Sequence, residues 1–175
     1  MTGRDRRLQY EYEQLLARFS ARPDICFSVT GHNAAGIPNQ YLIQYNIRCI
    51  CSVQDVEHLN EPGYRNRPEY ADRFLMQLEL PPAYPSVDAP PTFRFLTHDA
   101  QGHPIPHPWH PNIKWFGEMA GRVCLNMPDT YTDLAWCVSR VAQYLRYERY
   151  HATNEPPYPE DRQVAIWVLK HLEEL

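Results

Sequence analysis

The spacing of apolar residues predicts a helix at the start of the chain. Between residues 4 and 19 the apolar positions recur every three or four residues, and arginine and glutamate occupy many of the positions between them. The apolar positions are Leu8, Tyr12, Leu15, Leu16 and Phe19. One side of a helix with this spacing is apolar, so we expect an amphipathic first helix that packs on the rest of the protein.

Four later segments have the pattern of β-strands. They are residues 25–29, 41–52, 74–80 and 92–96. Every other residue is apolar from Ile43 to Cys51 in the second segment and from Phe74 to Leu80 in the third. Alternation of this kind places the apolar side chains on one face of a sheet. Turn-forming residues separate the segments, which favours an antiparallel meander.

Prolines are concentrated between residues 81 and 111. Proline fixes one backbone angle and lacks an amide donor, so this segment is expected to be rigid and neither helical nor part of a central strand. Helical spacing then returns, with a second helix that starts near Thr132 or Asp133 and is broken by residues 154–159. A last helix starts at about Glu160, and its predicted apolar face carries Val164, Trp167, Val168, His171, Leu172 and Leu175. The predicted fold is α+β, with an N-terminal helix, a four-stranded antiparallel meander sheet, a rigid proline-rich segment and two C-terminal helices.

Length and composition limit the classes of protein to which the chain can belong. Its 175 residues, 43% of them apolar, fit one domain that spans residues 1–175. No apolar run is as long as a membrane span, and the start of the chain lacks the apolar core of a secretory signal. We therefore expect a cytoplasmic protein that does not bind membranes. The net charge of -4, without a basic tract, argues against nucleic acid and favours protein partners. The five cysteines contain no Cys-x-x-Cys pair, which indicates neither a disulfide framework nor a zinc finger.

The motifs that suggest chemistry lie between Phe74 and Met127. FLMQLELPPAYP is followed by PPTFRFLT, by His-Pro-Asn at residues 110–112 and by GRVCLNM around Cys124. A cysteine that follows a carboxamide after a short loop can hold a thiol nucleophile beside a hydrogen-bond donor, which suits acyl transfer through a thioester. The order and the residue sequences of these motifs resemble those of the ubiquitin-conjugating enzymes, and the resemblance covers nearly the whole chain.

The resemblance implies a role for each part of this region. Cys124 would accept the C-terminal acyl group of a ubiquitin-like modifier from an activating enzyme and pass it to an amine of a target protein. Asn112 would stabilise the oxyanion of the tetrahedral intermediate, and His110 and Pro111 would hold its loop. An asparagine after proline also commonly braces a loop through the backbone, so both roles are open for Asn112. No cofactor is implied. The first helix meets the activating enzyme in this family, and the basic candidates for that contact are Arg4, Arg6 and Arg7.

The four other cysteines have the pattern of core residues. Cys49 and Cys51 lie on the inward face of the second predicted strand, Cys26 alternates with inward positions, and Cys137 lies on the apolar stripe of a helix. Buried cysteines of this kind are inert, so we expect Cys124 to be the reactive thiol.

The chain departs from the usual pattern of the family at several places. KWFGEMAGRV, residues 114–123, makes the spacing between Asn112 and Cys124 several residues longer than usual. SVDA, residues 86–89, lengthens a loop near the surface where the family docks ligases. The acidic residue that orients the incoming lysine in many relatives aligns only loosely, and the candidates are Asp129, Asn154 and Glu155. These departures favour a divergent, prokaryotic member of the family, in a setting such as a bacterial antiviral operon.

Two other functions and a metal site fit parts of the sequence. A catalytically silent scaffold of the same fold would bind a ubiquitin-like protein, although such variants typically lack the cysteine. A Cys-His-Asn hydrolase would need a histidine within hydrogen-bond reach of Cys124. His98, His103, His107 and His110 form a histidine-rich run of the kind found at metal sites. The interleaved prolines exclude a helical presentation of these side chains, so we expect no metal.

Overall fold

The helices and strands occur in the order predicted for an α+β protein. In the computed structural model, residues 1–125 and 132–175 are described. The helices are α1 (Gly3–Phe19), α2 (Leu134–Leu145) and α3 (Arg162–Lys170). The strands are β1 (Ile25–His32), β2 (Pro38–Tyr45), β3 (Cys49–Val53), β4 (Pro68–Ala71), β5 (Phe74–Glu79) and β6 (Thr92–Phe95). Two short 3-10 helices cover Val56–His58 and Leu172–Glu174. Within the described ranges, no helix is long and apolar enough to cross a membrane.

Four strands form the predicted antiparallel meander. Their order in the sheet is β1-β2-β5-β6, and each neighbouring pair is antiparallel. Ile43 of β2 and Met76 of β5 are opposite each other, and both are fully buried on the inner face of the sheet. With α1 before the sheet and α2 and α3 after it, this arrangement confirms the α+β fold expected from the sequence.

The second predicted strand, residues 41–52, is two strands. β2 ends at Tyr45, and the Asn46 N–H and Nδ2 groups donate to the carbonyls of Asp24 (2.8 Å) and Pro23 (2.9 Å). These bonds turn the chain toward the segment before β1 and out of the meander. β3 pairs with β4 in a separate two-stranded sheet. β4 was not predicted, because its four residues include no buried position and therefore carry no apolar alternation.

The main core lies between the inner face of the sheet and helices α1 and α2. α1 begins at Gly3, one residue before the predicted start, because the Thr2 hydroxyl accepts a hydrogen bond from the Asp5 N–H (3.0 Å) and the Asp5 carboxylate accepts one from the Thr2 N–H (2.9 Å). The Tyr45 hydroxyl donates to the Val138 carbonyl (3.0 Å), which links the sheet to α2.

α2 starts where the sequence predicts and ends earlier. Asp133 is its N-cap, and the Asp133 carboxylate accepts from the Trp136 N–H (2.7 Å). The helix ends at Leu145, well before the predicted break at residues 154–159. Tyr147 has a φ of 55°, a left-handed conformation in which a right-handed helix cannot continue.

A second core lies beneath the proline-rich segment and is built largely on α3. The buried ring of Trp109 packs edge-on against that of Trp167, with ring centroids 5.9 Å apart. α3 ends at Lys170, so the predicted apolar face stops there. Leu172 and Leu175, which the helical spacing placed on that face, are exposed.

Candidate active site

A short hairpin brings Cys124 back beside Asn112. The Cys124 N–H donates to the Asn112 carbonyl (2.8 Å), and the Lys114 N–H donates to the Arg122 carbonyl (2.8 Å). The long segment that separates the two motifs in the sequence, residues 114–123, therefore folds back on itself. The carboxamide and the thiol belong to directly paired residues even though eleven residues lie between them.

The returning arm of the hairpin is attached to the edge of the main sheet. The Val123 N–H donates to the Phe93 carbonyl (3.1 Å), and the Phe95 N–H donates to the Gly121 carbonyl (2.8 Å). The Arg94 side chain also donates to two carbonyls at the tip of the hairpin (2.9 and 3.2 Å). The backbone that leads into the thiol thus continues the hydrogen bonding of β6, which gives it a rigid support.

Gly121 makes this attachment sterically demanding, and we expect Gly121→Ala to be strongly destabilising. Its φ is +92°, and a Cβ there would lie 2.1 Å from the Phe95 carbonyl oxygen. Gly117→Ala is the matched control, because Gly117 has a φ of +80° but nothing within 4 Å of a built Cβ. The control should lose about 1–2 kcal/mol of unfolding free energy in urea, the cost of the left-handed backbone alone. Gly121→Ala should lose clearly more, and equal losses would contradict the close approach.

His110 is held by the protein through both ring nitrogens. The ring is fully buried and stacks on Tyr144, with centroids 4.7 Å apart. Nδ1 accepts from the Asn112 N–H (3.0 Å), which leaves the proton on Nε2 to be donated to the Arg149 carbonyl (2.9 Å). Burial lowers the pKa of His110 to about 3, so the ring is neutral at physiological pH. This geometry fits a residue that holds its loop, and neither nitrogen is free to act as a base for Cys124.

The buried neutral His110 should make stability depend on pH. The unfolded state binds a proton at a pKa of about 6.5 and the folded state only at about 3, so unfolding free energy is lost as the pH falls through this interval. Between pH 7 and pH 5 the loss should be about 2 kcal/mol. Urea titrations of the protein and of His110→Asn at both pH values test this. The variant should show a shallower pH dependence by that amount, and equal slopes would rule out the effect.

The side chain of Asn112 is oriented by the backbone that follows α2. Asn112 is 3% exposed, and its Oδ1 accepts from the His151 N–H (2.9 Å). A backbone amide can only donate, so the oxygen of the carboxamide must face His151 and the Nδ2 group must face the other way. Among the described residues, Nδ2 has no hydrogen-bond partner. Asn112 therefore braces the loop with one end and presents a donor with the other.

Pro111 and Asp161 connect the site to α3. The buried Pro111 accepts at its carbonyl from the Asp161 N–H (2.9 Å). The buried Asp161 carboxylate is the N-cap of α3 and also accepts from the Trp115 N–H of the hairpin (2.9 Å). Asp161 was not predicted as a cap, although an aspartate directly before a helical pattern is a recognisable capping signal.

Cys124 is half-buried and lies next to an ion pair. Its carbonyl accepts from the Tyr144 hydroxyl (3.4 Å). Arg122, two residues before it, donates through Nε to Glu160 (2.5 Å). Burial raises the pKa of Cys124 and the charge of Glu160 raises it further, whereas Arg122 acts in the opposite direction. The group is therefore predominantly a neutral thiol near pH 7, unlike the thiolate of a cysteine paired with a histidinium ion.

The other cysteines differ from one another in exposure. Cys49 and Cys137 are buried, and burial raises the pKa of Cys137 to about 12. Cys51 is half-buried, and burial raises its pKa as well. Cys26 is exposed, so the expectation that it belongs to the core is wrong. The pairing of β1 turns its neighbour Ile25 inward, and the alternation along a strand then directs Cys26 outward.

The candidates for an acidic residue near the acceptor amine have different positions. Asp129 lies outside the described residues. Asn154 and Glu155 are exposed, and the Asn154 Oδ1 accepts from the Arg162 Nε (2.7 Å). In the part of the chain that is described, Glu160 is the carboxylate whose charge acts on Cys124. Glu160 was not predicted from the sequence, because its approach to Arg122 and Cys124 depends on the packing of the segment before α3 against Pro111 and Trp115.

The three arginines of the first helix do not form one exposed cluster. Arg7 bonds the buried Glu11 (2.6 Å) inside the protein. Arg4 is half-buried and donates to the Pro81 carbonyl (3.2 Å). Arg6 is the exposed member of the three. A protein that approached this face would meet Arg6 first, while Arg4 and Arg7 serve the packing of α1.

The histidine-rich run does not converge on one point. Over residues 1–125 and 132–175, no group of three or more metal-binding side chains is close enough to hold an ion. The His107 ring stacks on Trp115, with centroids 5.2 Å apart, and both nitrogens of His110 are engaged by the backbone. His98 and His103 are exposed on either side of a turn.

Comparisons with other proteins identify the fold. A ubiquitin-conjugating enzyme from H. polymorpha, Pex4p in complex with the soluble domain of Pex22p, superposes with a TM-score of 0.54 over 98% of this chain and 90% of that one, at 14% identity. The chain has the ubiquitin-conjugating fold. Two further structures are similar at a TM-score of 0.48. One is a ubiquitin conjugating enzyme E2 from Plasmodium falciparum, 18% identical, with 80% of this chain and 96% of that one covered. The other is a putative ubiquitin conjugating enzyme from Plasmodium yoelii, 17% identical, with 96% and 86% covered.

Likeness at these identities concerns the ubiquitin-conjugating fold and not the activity. No protein-family model and no curated protein sequence matches the chain. A function must therefore be argued from Cys124 and the residues around it.

Proposed function

We propose that the protein is a conjugating enzyme for a ubiquitin-like modifier, with Cys124 as the residue that carries it. The observation that supports this most directly is the state of Asn112. Its Oδ1 is fixed by His151, its Nδ2 is an available donor, and its backbone is bonded to Cys124 (2.8 Å). A fixed donor beside a thiol is the arrangement that stabilises the oxyanion of an acyl-transfer intermediate.

The proposed reaction has two steps. In the first, the Cys124 sulfur attacks the thioester that joins the modifier to an activating enzyme. A carbon–sulfur bond forms at Cys124, the old one breaks, and the departing thiolate takes up the proton that Cys124 gave up. In the second, a neutral amine of the target protein attacks the new thioester and forms an amide. The Cys124 sulfur leaves as a thiolate, and the proton lost by the amine reaches it through water. Both steps pass through an oxyanion, and Asn112 would stabilise mainly the oxyanion of the second, the transfer to the amine.

The partners in this proposal are the modifier, an activating enzyme and a target protein. Arg6 is the candidate on α1 for contact with the activating enzyme, because it is the exposed arginine of the three. The similar structure of Pex4p was determined with a protein partner, Pex22p, which agrees with a role in protein complexes. A prokaryotic origin and an antiviral setting belong to the same proposal. Inspection of neighbouring genes for a modifier, an activating enzyme and a deconjugating protease tests them.

Two features of the site argue against the other functions considered from the sequence. A Cys-His-Asn hydrolase needs a histidine that can take the thiol proton, and both nitrogens of His110 are bonded to the backbone. A catalytically silent scaffold needs no oriented hydrogen-bond donor beside the cysteine, whereas Asn112 presents its Nδ2 group as one.

A single experiment separates the three functions. The protein is mixed with a panel of ubiquitin-like proteins that carry a C-terminal alkyl thioester, which replaces the activating enzyme, and the products are followed by mass spectrometry. We expect a lasting adduct on Cys124. No adduct with any member of the panel would favour the scaffold, and rapid release of the free C-terminal acid would favour the hydrolase.

A further inference from the structure

A polar depression opens on the surface directly beside Asn112. Its rim is formed by Arg140 and Tyr144 of α2 and by residues 148–151, the segment that follows the helix. Asn112 is part of its lining, so a group bound there would lie next to the proposed oxyanion donor. In the proposed reaction, a target protein whose amine attacks the thioester near Asn112 would lie over this depression.

Two hydrogen bonds fix the position of the depression relative to His110 and Asn112. The carbonyl of Arg149 accepts from the Nε2 of His110 (2.9 Å), and the N–H of His151 donates to the Oδ1 of Asn112 (2.9 Å). Both of these partners are buried side chains. The backbone on each side of Tyr150 is therefore fixed, while the side chains of Arg149 and Tyr150 are exposed. Groups on this segment keep a constant position relative to the donor.

The charged side chains around the depression have no ion-pair partner among the described residues. Arg140 and Arg149 form no salt bridge with any described residue, and the Arg140 guanidinium lies over the Trp136 ring at 4.7 Å. Glu148 also lines the depression and likewise has no ion-pair partner among the described residues. Two arginines and one glutamate give this surface a local excess of positive charge in a protein with a net charge of -4.

We propose that this depression binds the segment around the acceptor amine and selects amines that have carboxylate side chains next to them. The carboxylates of the target would pair with Arg140 and Arg149, and Glu148 would attract the positive charge of the lysine as it approaches. Complementary charges of this kind contribute to the choice of partner more than to affinity. The inference rests on the proposed function, since it describes the substrate of the same site.

The test uses three labelled ten-residue peptides that share one central lysine, flanked by two Glu, two Gln or two Arg residues. Fluorescence anisotropy measures their binding to the full chain without any modifier. The Glu peptide should bind best, and Arg149→Glu or Arg140→Glu should weaken its binding about fivefold to tenfold, as for the loss of an exposed charge pair and its replacement by repulsion. The double variant should prefer the Arg peptide. Arg67→Glu, an exposed arginine outside the depression, is the control for net charge and should bind the Glu peptide like the unchanged protein.

The same peptides are then used as acceptors in single-turnover discharge from the Cys124 thioester, where the order of rates should match the order of binding. Equal binding of the Glu and Gln peptides, or binding that Arg140→Glu and Arg149→Glu leave unchanged, would overturn the inference whether or not a thioester forms. Failure to form a thioester would overturn the proposed function instead, and the binding measurements would still decide what the depression recognises.

Discussion

Cys124→Ser should remove the thioester adduct completely. A serine hydroxyl at this position can at most form an ester, so any remaining adduct should resist reducing agents. We expect complete loss because Cys124 is the cysteine whose backbone is hydrogen-bonded to Asn112. The measurement is gel analysis of the modifier adduct with and without reductant.

Cys26→Ser is the matched control for this experiment. Cys26 is the exposed cysteine of β1, so it is accessible to solvent, but β1 is at the opposite edge of the main sheet from β6, which bonds the hairpin. Its removal should leave loading unchanged. A normal reductant-sensitive adduct in the Cys124→Ser protein, or its loss in Cys26→Ser, would show that accessibility rather than the site selects the thiol.

Replacement of Asn112 should separate the transfer to an amine from the loading of the thiol. The resemblance ties this carboxamide mainly to the amine step, and loss of one oxyanion donor typically costs about 100-fold to 1,000-fold in rate, or about 3–4 kcal/mol. Asn112→Ala should therefore still load Cys124 but discharge to free lysine slower by that factor. Single-turnover discharge measures the rate, and urea unfolding measures stability in parallel.

Asn112→Asp distinguishes the donor from the brace. An aspartate keeps an oxygen that can accept from the His151 N–H (2.9 Å in the present structure) but has no Nδ2 donor. If the donor matters, the Asp variant should discharge at least as slowly as the Ala variant while keeping more stability. Discharge that follows stability in both variants would mean that Asn112 acts only by holding the loop.

The sequence was sufficient to predict elements that depend on local periodicity. The spacing of apolar residues in α1 and the alternation in β2 and β5 reflect which side of each element is buried, and burial decides most of their stability. Asp133 was recognisable as a helix cap because capping is also a local interaction. The position of Cys124 in its motif came from the resemblance and not from periodicity.

Features that depend on contacts between distant segments could not be predicted. β2 ends where Asn46 bonds to Pro23 and Asp24, and nothing around Asn46 in the sequence indicates those partners. The exposure of Cys26 depends on which face of β1 meets the core, which alternation over a short segment does not decide. The hydrogen bond between Asn112 and His151 joins one residue that precedes α2 in the chain to one that follows it.

Because the two arms of the hairpin are paired, the position of the thiol does not depend on the number of residues between Asn112 and Cys124. The backbone bonds at Asn112 and Lys114 fix the return of the chain, and extra residues at the tip add only a slowly growing entropy of loop closure. Insertions and deletions there can accumulate during evolution without moving the nucleophile. A motif search that fixes the number of residues between the carboxamide and the cysteine would pass over proteins of this kind, whereas a search for the paired backbone would find them.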